Sequence, residues 1–446
     1  MVEIEVIAIG GYNEVGRNMT AVRVGKEIIV FDIGLYLDPI SGQNINTENM
    51  HSMELIQIGA IPDDTVMNSV SGTVKAIICT HGHQDHIGAV QKLAHRYKCP
   101  IISTPYTNEL IKQQIESERK FSVTNKTISL KAGEKYIISQ NIILEFVRVQ
   151  HSIIDSVIAV LHTPVGCIVY ANDFKFDMTP VIGETPNLSR IREIGKEGVK
   201  VLIVESINME ERGYAPSEQV ARLRVRDAIL RCEDDPNAVV VSTFASLTSR
   251  IKSIAECAIE IDRTPLLLGR SMERYNSTAE MMKLVSFPRG TSIYGNYKTT
   301  DRMLRRVVAE GKDKFLLIVT GHQGEPGSIL SRMAGGETPL KFEKGDKVMF
   351  SANIIPNPIN IAQRADIDRL LTHQGARIFD GLHVTGHAYY QEHYDLVSML
   401  NPEHIIPSHG PFNMKGGYVY LGNELGYVLN QDIHILQNGD RLVLQK

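Results

Sequence analysis

Cysteine is scarce in this 446-residue sequence, and what there is shows no pattern. The five residues, Cys79, Cys99, Cys167, Cys232 and Cys257, are odd in number, scattered, and form no CxxC pair. That excludes a disulfide framework and reads against a cysteine-built zinc site. The thiols are expected to be reduced and buried, as in a cytoplasmic protein. Long hydrophobic runs are missing too. No apolar stretch reaches the ~18 residues that a membrane span needs, so no membrane association is expected. The opening MVEIEVIAIGG carries Glu3 and Glu5 and no basic lead-in, so it is not read as a signal peptide. Positive charge is not in excess, because the formal net charge is -4 at pH 7. No global field therefore draws nucleic acid, and a nucleic-acid site has to be local. Internal repeats, low-complexity stretches and charged tails are also absent.

What is present is ordinary globular composition, 43% apolar and 22% charged. The length suggests two or three domains. The first part alternates like strands: EIEVIAI, then TAVRVGKEIIVFDIG split at Gly25-Lys26. Further strand runs are AIICT (76–80), IIST (101–104), IILEFVRV (142–149), VIAVLH (157–162), CIVYAND (167–173) and VLIVES (201–206). A helix is expected over IGAVQKLAHRY (87–97), from Ile87, Val90, Ala94 and Tyr97 at helical spacing. From about 213 the pattern becomes strand, helix, strand in repetition, which predicts a mainly parallel α/β sheet. From about 374 short strands return: ARIFD, HIIPSHG and HILQNGDRLVLQ. The expected class is thus an α+β sandwich plus an α/β insertion. The polar stretch 34–65 reads as a long loop, a lid or a partner surface.

The strongest chemical signal is Thr80-His81-Gly82-His83-Gln84-Asp85-His86, between an apolar strand and a helix. Three imidazoles and a carboxylate at HxHxDH spacing have no use in packing, and they suit Zn²⁺, with Mn²⁺ as the alternative. His81 and His83 share one side of the loop while Asp85 and His86 turn into the helix. Two ions are therefore expected, each needing further ligands. His151, Asp173 and His409 each follow an apolar strand beside small residues, where active-site loops gather.

This set resembles the metallo-β-lactamase fold, an αββα sandwich with a two-metal site at one edge. The resemblance implies that His81, His83 and His151 hold one ion. It implies that Asp85, His86 and His409 hold the other, and that Asp173 bridges them. Asp173 and His409 are separated by the α/β unit. Residues 213–373 are therefore expected to interrupt a metallo domain formed by 1–212 and 374–446, which resembles the β-CASP nucleases. Glu205 is similar to their acidic motif A, His387 in His383-Val384-Thr385-Gly386-His387-Ala388 to motif B, and His409 to motif C. Gly10-Gly11, Glu14-Val15-Gly16-Arg17-Asn18-Met19, Asp173-Phe174-Lys175-Phe176-Asp177, Thr243-Phe244-Ala245-Ser246, Gly269-Arg270-Ser271-Met272 and Gln323-Gly324-Glu325-Pro326 resemble the ribonuclease J family. They spread over most of residues 5–412. Two positions depart from the bacterial pattern: His322 stands where Ser is usual, and Asn172 where Gly is usual. The chain stops soon after the metallo domain, which resembles the shorter archaeal form.

The resemblance implies a metal-dependent 5′→3′ exoribonuclease. It would act on single-stranded RNA, prefer a 5′-monophosphate, and use two-metal hydroxide attack on the phosphodiester. Asp85 would orient the water, His387 would stabilise phosphoryl oxygens or protonate the leaving 3′-oxygen, and Glu205 would support His387 or a ligand. RNA contacts are expected from Thr243, Phe244, Ala245 and Ser246 at a helix N-terminus, from Arg270, and from His383, Val384, Thr385, Gly386 and His387. A homodimer is expected from the family. The sequence names no protein partner in RNA decay. An endoribonuclease of the same subgroup is the alternative, but its archaeal relatives carry KH domains first, and here the metallo domain begins at residue 2. A small-molecule metallo-hydrolase would not need the insertion, and a non-catalytic scaffold would not need every ligand position filled. Arg222, Arg224, Arg226 and Arg231 read as a solvated surface. His322 stands beside a Gly-rich turn with no clear assignment. His51, His95, His162, His373, His393, His404 and His434 show no ligand-like company.

Overall fold

A computed structural model of the chain describes residues 2–40 and 49–444. Its architecture rests on three sheets. The first runs in spatial order Arg441–Leu444, Ile4–Gly10, Met19–Val24, Glu27–Phe31, Thr73–Cys79, Ile101–Ser103 and Thr127–Ser129. The second runs His404–Ser408, Val199–Glu205, Gly166–Ala171, Val157–Thr163, Ile143–Arg148 and Lys135–Ile137. Period-2 alternation explains how they stack. Ile4, Val6 and Ala8 face inward and share one core with Phe146, Ala159, Leu161 and Ile203 of the second sheet. Phe31 and Tyr170 stack between the sheets with ring centroids 4.6 Å apart. Ile7 and Ile9, one residue out of step, face the opposite way into a helical layer containing Leu93 and Tyr106. The second sheet repeats this on its outer face, where Val160, Val169 and Leu202 meet Ile191, Leu396 and Leu421. The αββα sandwich expected from the sequence is present.

The third sheet is wholly parallel: Ser292–Tyr294, Thr264–Leu268, Phe315–Val319, Val239–Ser242, Lys347–Phe350 and Arg377–Phe379. Both its faces are covered, which accounts for the near-continuous apolar runs of its strands. The chain leaves the second sheet after Val199–Glu205 and re-enters it at His404–Ser408, and these two strands pair in parallel, Glu205 opposite Ser408. The insertion thus opens and closes between adjacent strands.

Three sequence expectations need correction. ARIFD does not return to the sandwich: Arg377–Phe379 pairs with Lys347–Phe350, so the inserted sheet runs past 373. The helix expected over 87–97 is broken into Gln84–Ile87, Val90–Leu93 and a 3₁₀ turn at Ala94–Arg96. The Ala89 amide donates to the Ile33 carbonyl, 2.9 Å, which takes it out of the helical ladder. The stretch 34–65 is not all loop, since it holds the helix Ser52–Gln57 and leads into a 3₁₀ helix at Asp64–Ser69. Its residues 41–48 lie outside the described residues. Asn357 of the inserted unit donates to Asp38 of this stretch, 2.6 Å. All five cysteines are free and buried, as expected. No helix among the described residues is long and apolar enough to cross a membrane.

One buried cation fastens the insertion. Arg250, fully buried, donates to both carboxylate oxygens of Glu218, at 2.6 and 2.8 Å. Its other amine group donates to the Ser351 hydroxyl, 2.7 Å, and to the Leu382 carbonyl, 3.0 Å. It therefore joins two helices, a strand end and the segment leading to His383. Arg250→Met should lower unfolding free energy by about 3–5 kcal/mol, because it strands the Glu218 carboxylate. Denaturant unfolding measures this, and a loss near zero would show that the clamp carries no stability.

Candidate metal centre and its surroundings

The candidate residues gather because five strands end on one edge of the sandwich. Thr73–Cys79 delivers the HxHxDH loop, Ile143–Arg148 leads to His151, and Gly166–Ala171 to Asp173. Val199–Glu205 ends on Glu205, and His404–Ser408 leads to His409. The first set of donors is His81, His83, His151 and Asp173, and the second is Asp85, His86, His409 and Asp173. In the first set, His81 Nε2 and His151 Nε2 lie 3.5 and 3.4 Å from Asp173 Oδ2. His83 Nδ1 lies 3.0 Å from His151 Nε2. In the second, His86 Nε2 is 3.3 Å from Asp173 Oδ2 and His409 Nε2 is 3.4 Å from Asp173 Oδ1. Both imidazoles are 3.6 Å from Asp85 Oδ2.

These separations can be tested against a metal. Zinc–nitrogen and zinc–oxygen bonds of about 2.0–2.2 Å in a tetrahedron put neighbouring donors about 3.3–3.6 Å apart. The donors present match that edge length, with the His83–His151 pair slightly closer. His81 Nε2, His409 Nε2 and Asp173 Oδ1 are buried with no hydrogen-bond partner. Orphaned buried polar atoms are rare, and these three point into the two donor sets. Burial also pushes the His81, His83 and His151 imidazoles well below their ordinary pKa, leaving the neutral form that a cation needs. For Asp173, burial raises the pKa, but His409 and His86 outweigh it and hold the carboxyl ionised. The residues fit two divalent ions sharing Asp173.

The outward nitrogen of every candidate histidine ligand has a partner. His86 Nδ1–H donates to Asp32, 2.8 Å, and His409 Nδ1–H to Asn18 Oδ1, 2.6 Å. His151 Nδ1–H donates to the Gly386 carbonyl, 2.7 Å, His81 Nδ1–H to the Thr80 hydroxyl, 3.1 Å, and His83 Nε2–H to the Ser246 hydroxyl, 3.1 Å. Such partners fix which ring nitrogen faces a metal. Asp32, Asn18 and Thr80 were not picked out as site residues from the sequence. Asp32 carried a usable signal, since it ends the apolar strand Glu27–Phe31 as Asp173 ends its own run. Asn18 carried none beyond its place in a motif. Asp32, Asp173 and His409 have φ of 55°, 53° and 52°, a left-handed backbone that costs of order 1 kcal/mol or more outside glycine. Gly34 allows the close approach behind them, because a Cβ there would sit 1.6 Å from the Asp85 carbonyl.

Beside the donors, His387 Nδ1 is 2.6 Å from Glu205, whose other oxygen accepts the Phe174 amide at 2.8 Å. Burial lowers the His387 pKa, but Glu205 and Asp173 outweigh it and raise it to about 9. Burial raises Glu205 to about 7. His387 stands over the first set, with ring centroids 4.7 Å from His151.

The expected RNA contacts divide. Thr243, Ala245 and Val384 are buried, and the Thr243 hydroxyl donates to the Ser351 carbonyl, 3.0 Å. The Thr243–Ser246 stretch precedes the helix Thr248–Glu260 and is not its N-terminus, because Leu247 is the cap. Phe244, Ser246, His383, Thr385 and Gly386 are half-buried. Phe244 packs on the buried His322, centroids 4.1 Å apart. Gly386 has Ser152 so close that a Cβ would lie 2.5 Å from its Cβ. Arg270 is exposed and makes no ion pair among the described residues. Arg222, Arg226 and Arg231 pair with Glu256, Glu260 and Asp227, as a solvated surface requires.

Fold, insertion and donor geometry define a metallo-hydrolase of the metallo-β-lactamase class. Three family descriptions match the chain in turn. They are metallo-beta-lactamase superfamily at residues 72–168, ribonuclease J beta-CASP domain at 236–370, and Zn-dependent metallo-hydrolase RNA specificity domain at 375–434. Ribonuclease J of Methanocaldococcus jannaschii is 51% identical over 445 residues, covering 100% of this chain and 99% of that one. Ribonuclease J of Pyrococcus abyssi is 42% identical, covering 98% and 96%. Ribonuclease J2 of Bacillus subtilis is 30% identical, covering 98% and 74%. A solved structure, a protein of unknown function from Enterococcus faecalis V583, aligns over 99% of this chain and 100% of that one. Its TM-score of 0.63 at 16% identity supports the fold alone. The chain belongs to the ribonuclease J family.

Asp32→Asn should weaken binding of the ion at the His86 set by about ten- to a hundredfold, because the orienting carboxylate is lost. Competition with a coloured chelator measures it, and unchanged affinity would remove Asp32 from the site.

Proposed function

We propose that this ribonuclease is a 5′→3′ exoribonuclease that trims single-stranded RNA from 5′-monophosphate ends. The carrying observation is the pair of donor sets sharing Asp173 with the His387–Glu205 pair beside them. We assign His81, His83 and His151 to one ion and Asp85, His86 and His409 to the other, with zinc preferred for its mix of imidazole and carboxylate ligands. Ions held there supply an activated water and Lewis acidity toward the phosphoryl oxygens.

The chain's own groups do the rest. The Asp85 side chain is 31% exposed, which suits a carboxylate that accepts a proton from the attacking water. His387 has Nδ1 committed to Glu205, so Nε2 is the nitrogen free to meet the scissile phosphate. As an imidazolium it neutralises the phosphoryl oxygens and gives its proton to the leaving 3′-oxygen. The exposed Arg270, with the half-buried Ser246 and Thr385, supports a rim that grips backbone phosphates upstream. A homodimer in the cytoplasm is part of the same proposal, and the five free cysteines accord with a reducing compartment.

The test uses one RNA in three forms: 5′-monophosphate, 5′-triphosphate and circular. Fastest release of mononucleotides from the monophosphate, with the circle intact, is expected. Cutting of the circle would replace the exonuclease with an endonuclease. His387→Ala should reduce turnover by about 10²–10⁴-fold with metal content unchanged. A normal rate would remove it from the chemistry.

A further inference from the structure

Linear spacing gives His162 no ligand-like company and the cysteines no metal site. The structure contradicts the first and reopens the second. His162 and Cys167 face each other across the hairpin formed by Val157–Thr163 and Gly166–Ala171. Glu197, at the end of the helix Leu188–Glu197, reaches over the same spot. His162 Nδ1 lies 3.5 Å from Cys167 Sγ and 3.2 Å from Glu197 Oε2, and Sγ and Oε2 are 4.0 Å apart. A thiol, an imidazole and a carboxylate therefore converge on the outer side of the second sheet, separate from the donors described above.

We propose that Cys167, His162 and Glu197 form an auxiliary site for a zinc-class divalent ion. With zinc–sulfur bonds near 2.3 Å and zinc–nitrogen and zinc–oxygen bonds near 2.0–2.2 Å, a tetrahedron puts these donors about 3.3–3.6 Å apart. Two of the three edges already fall close to that, and the third is within reach of the half-exposed Glu197 side chain. The donor set selects the metal. A thiolate with an imidazole favours zinc over magnesium or calcium. A water would fill the fourth position.

The support around His162 is an independent observation. Its other nitrogen, Nε2, donates to Glu145 at 2.7 Å. Glu145 is buried, and Arg190 binds both its oxygens, at 2.7 and 3.0 Å. A carboxylate on the far nitrogen is the usual device for turning a metal-binding imidazole and fixing its tautomer. Binding releases the Cys167 thiol proton and the His162 Nδ1 proton to solvent, while Nε2–H stays on Glu145. The ion would join the end of the helix to the hairpin, far from phosphodiester cleavage.

The catalytic donors include no sulfur, and among the described residues no cysteine but Cys167 belongs to a donor group, so a thiolate signal lost in Cys167→Ser reports this site. The purified full chain, stripped and loaded with Co²⁺, is expected to show a near-ultraviolet sulfur-to-cobalt charge-transfer band. Cys167→Ser should lose the band and hold one zinc fewer per chain by elemental analysis, with RNA cleavage unchanged. Glu197→Gln, at an exposed position, should keep the fold and weaken the band's metal affinity at least tenfold. No band in the wild type, or equal zinc in wild type and Cys167→Ser, would reduce the cluster to an ion pair of His162 with Glu145 and Glu197. A wild type that shows the band but cleaves no RNA would instead count against the catalytic assignment.

Discussion

Nitrogens of four imidazoles, from His81, His86, His151 and His409, lie 3.3–3.5 Å from the carboxylate of Asp173. That one buried carboxylate is where two sheets, four loops and the two halves of the sandwich meet. An ionised group in such a place is costly unless compensated. Its surroundings supply imidazoles on several sides, yet one of its oxygens still lacks a hydrogen-bond partner. The left-handed backbone at Asp173, His409 and Asp32 adds local strain, which persists only where the surrounding structure over-determines it. Two cations sharing Asp173, as proposed, would compensate that buried charge and engage the unpartnered oxygen.

The insertion follows from the same constraint. Its ends lie on neighbouring parallel strands, so an entire α/β unit can be added without separating Glu205 from His409. It also contributes directly to the centre: Ser246 holds the outward nitrogen of His83. Across the domain boundary, Gln84 in the HxHxDH loop donates to the Tyr275 hydroxyl at 3.1 Å, and Tyr106 donates to the Tyr275 carbonyl at 2.9 Å. The unit that would grip RNA is therefore in hydrogen-bond contact with the candidate ligand loop.

Much of this was legible from residue type and spacing. HxHxDH after an apolar strand announces a metal loop, because packing has no use for it. The separation of Asp173 from His409 by an α/β pattern announces the insertion. What stayed hidden depends on tertiary contact. The break at Gly88-Ala89 arises from an amide captured by Ile33, and helical spacing cannot reveal that. ARIFD is too short to declare which sheet it joins. Thr243 looked available for phosphate, but strand pairing buries it and its hydroxyl donates to the Ser351 carbonyl. His162 looked isolated because its companions come from a facing strand and a helix end. Cross-strand register, rather than linear spacing, brings Cys167 and His162 together.

The site as proposed turns on two ions sharing Asp173. The most direct measurement is the electron paramagnetic resonance spectrum of the metal-stripped protein reloaded with Mn²⁺. Ions bridged by one carboxylate at ~3.5–4 Å are magnetically coupled. A coupled-pair spectrum is expected, collapsing to that of isolated ions in Asp173→Asn. Isolated-ion spectra in the wild type at full loading would contradict it.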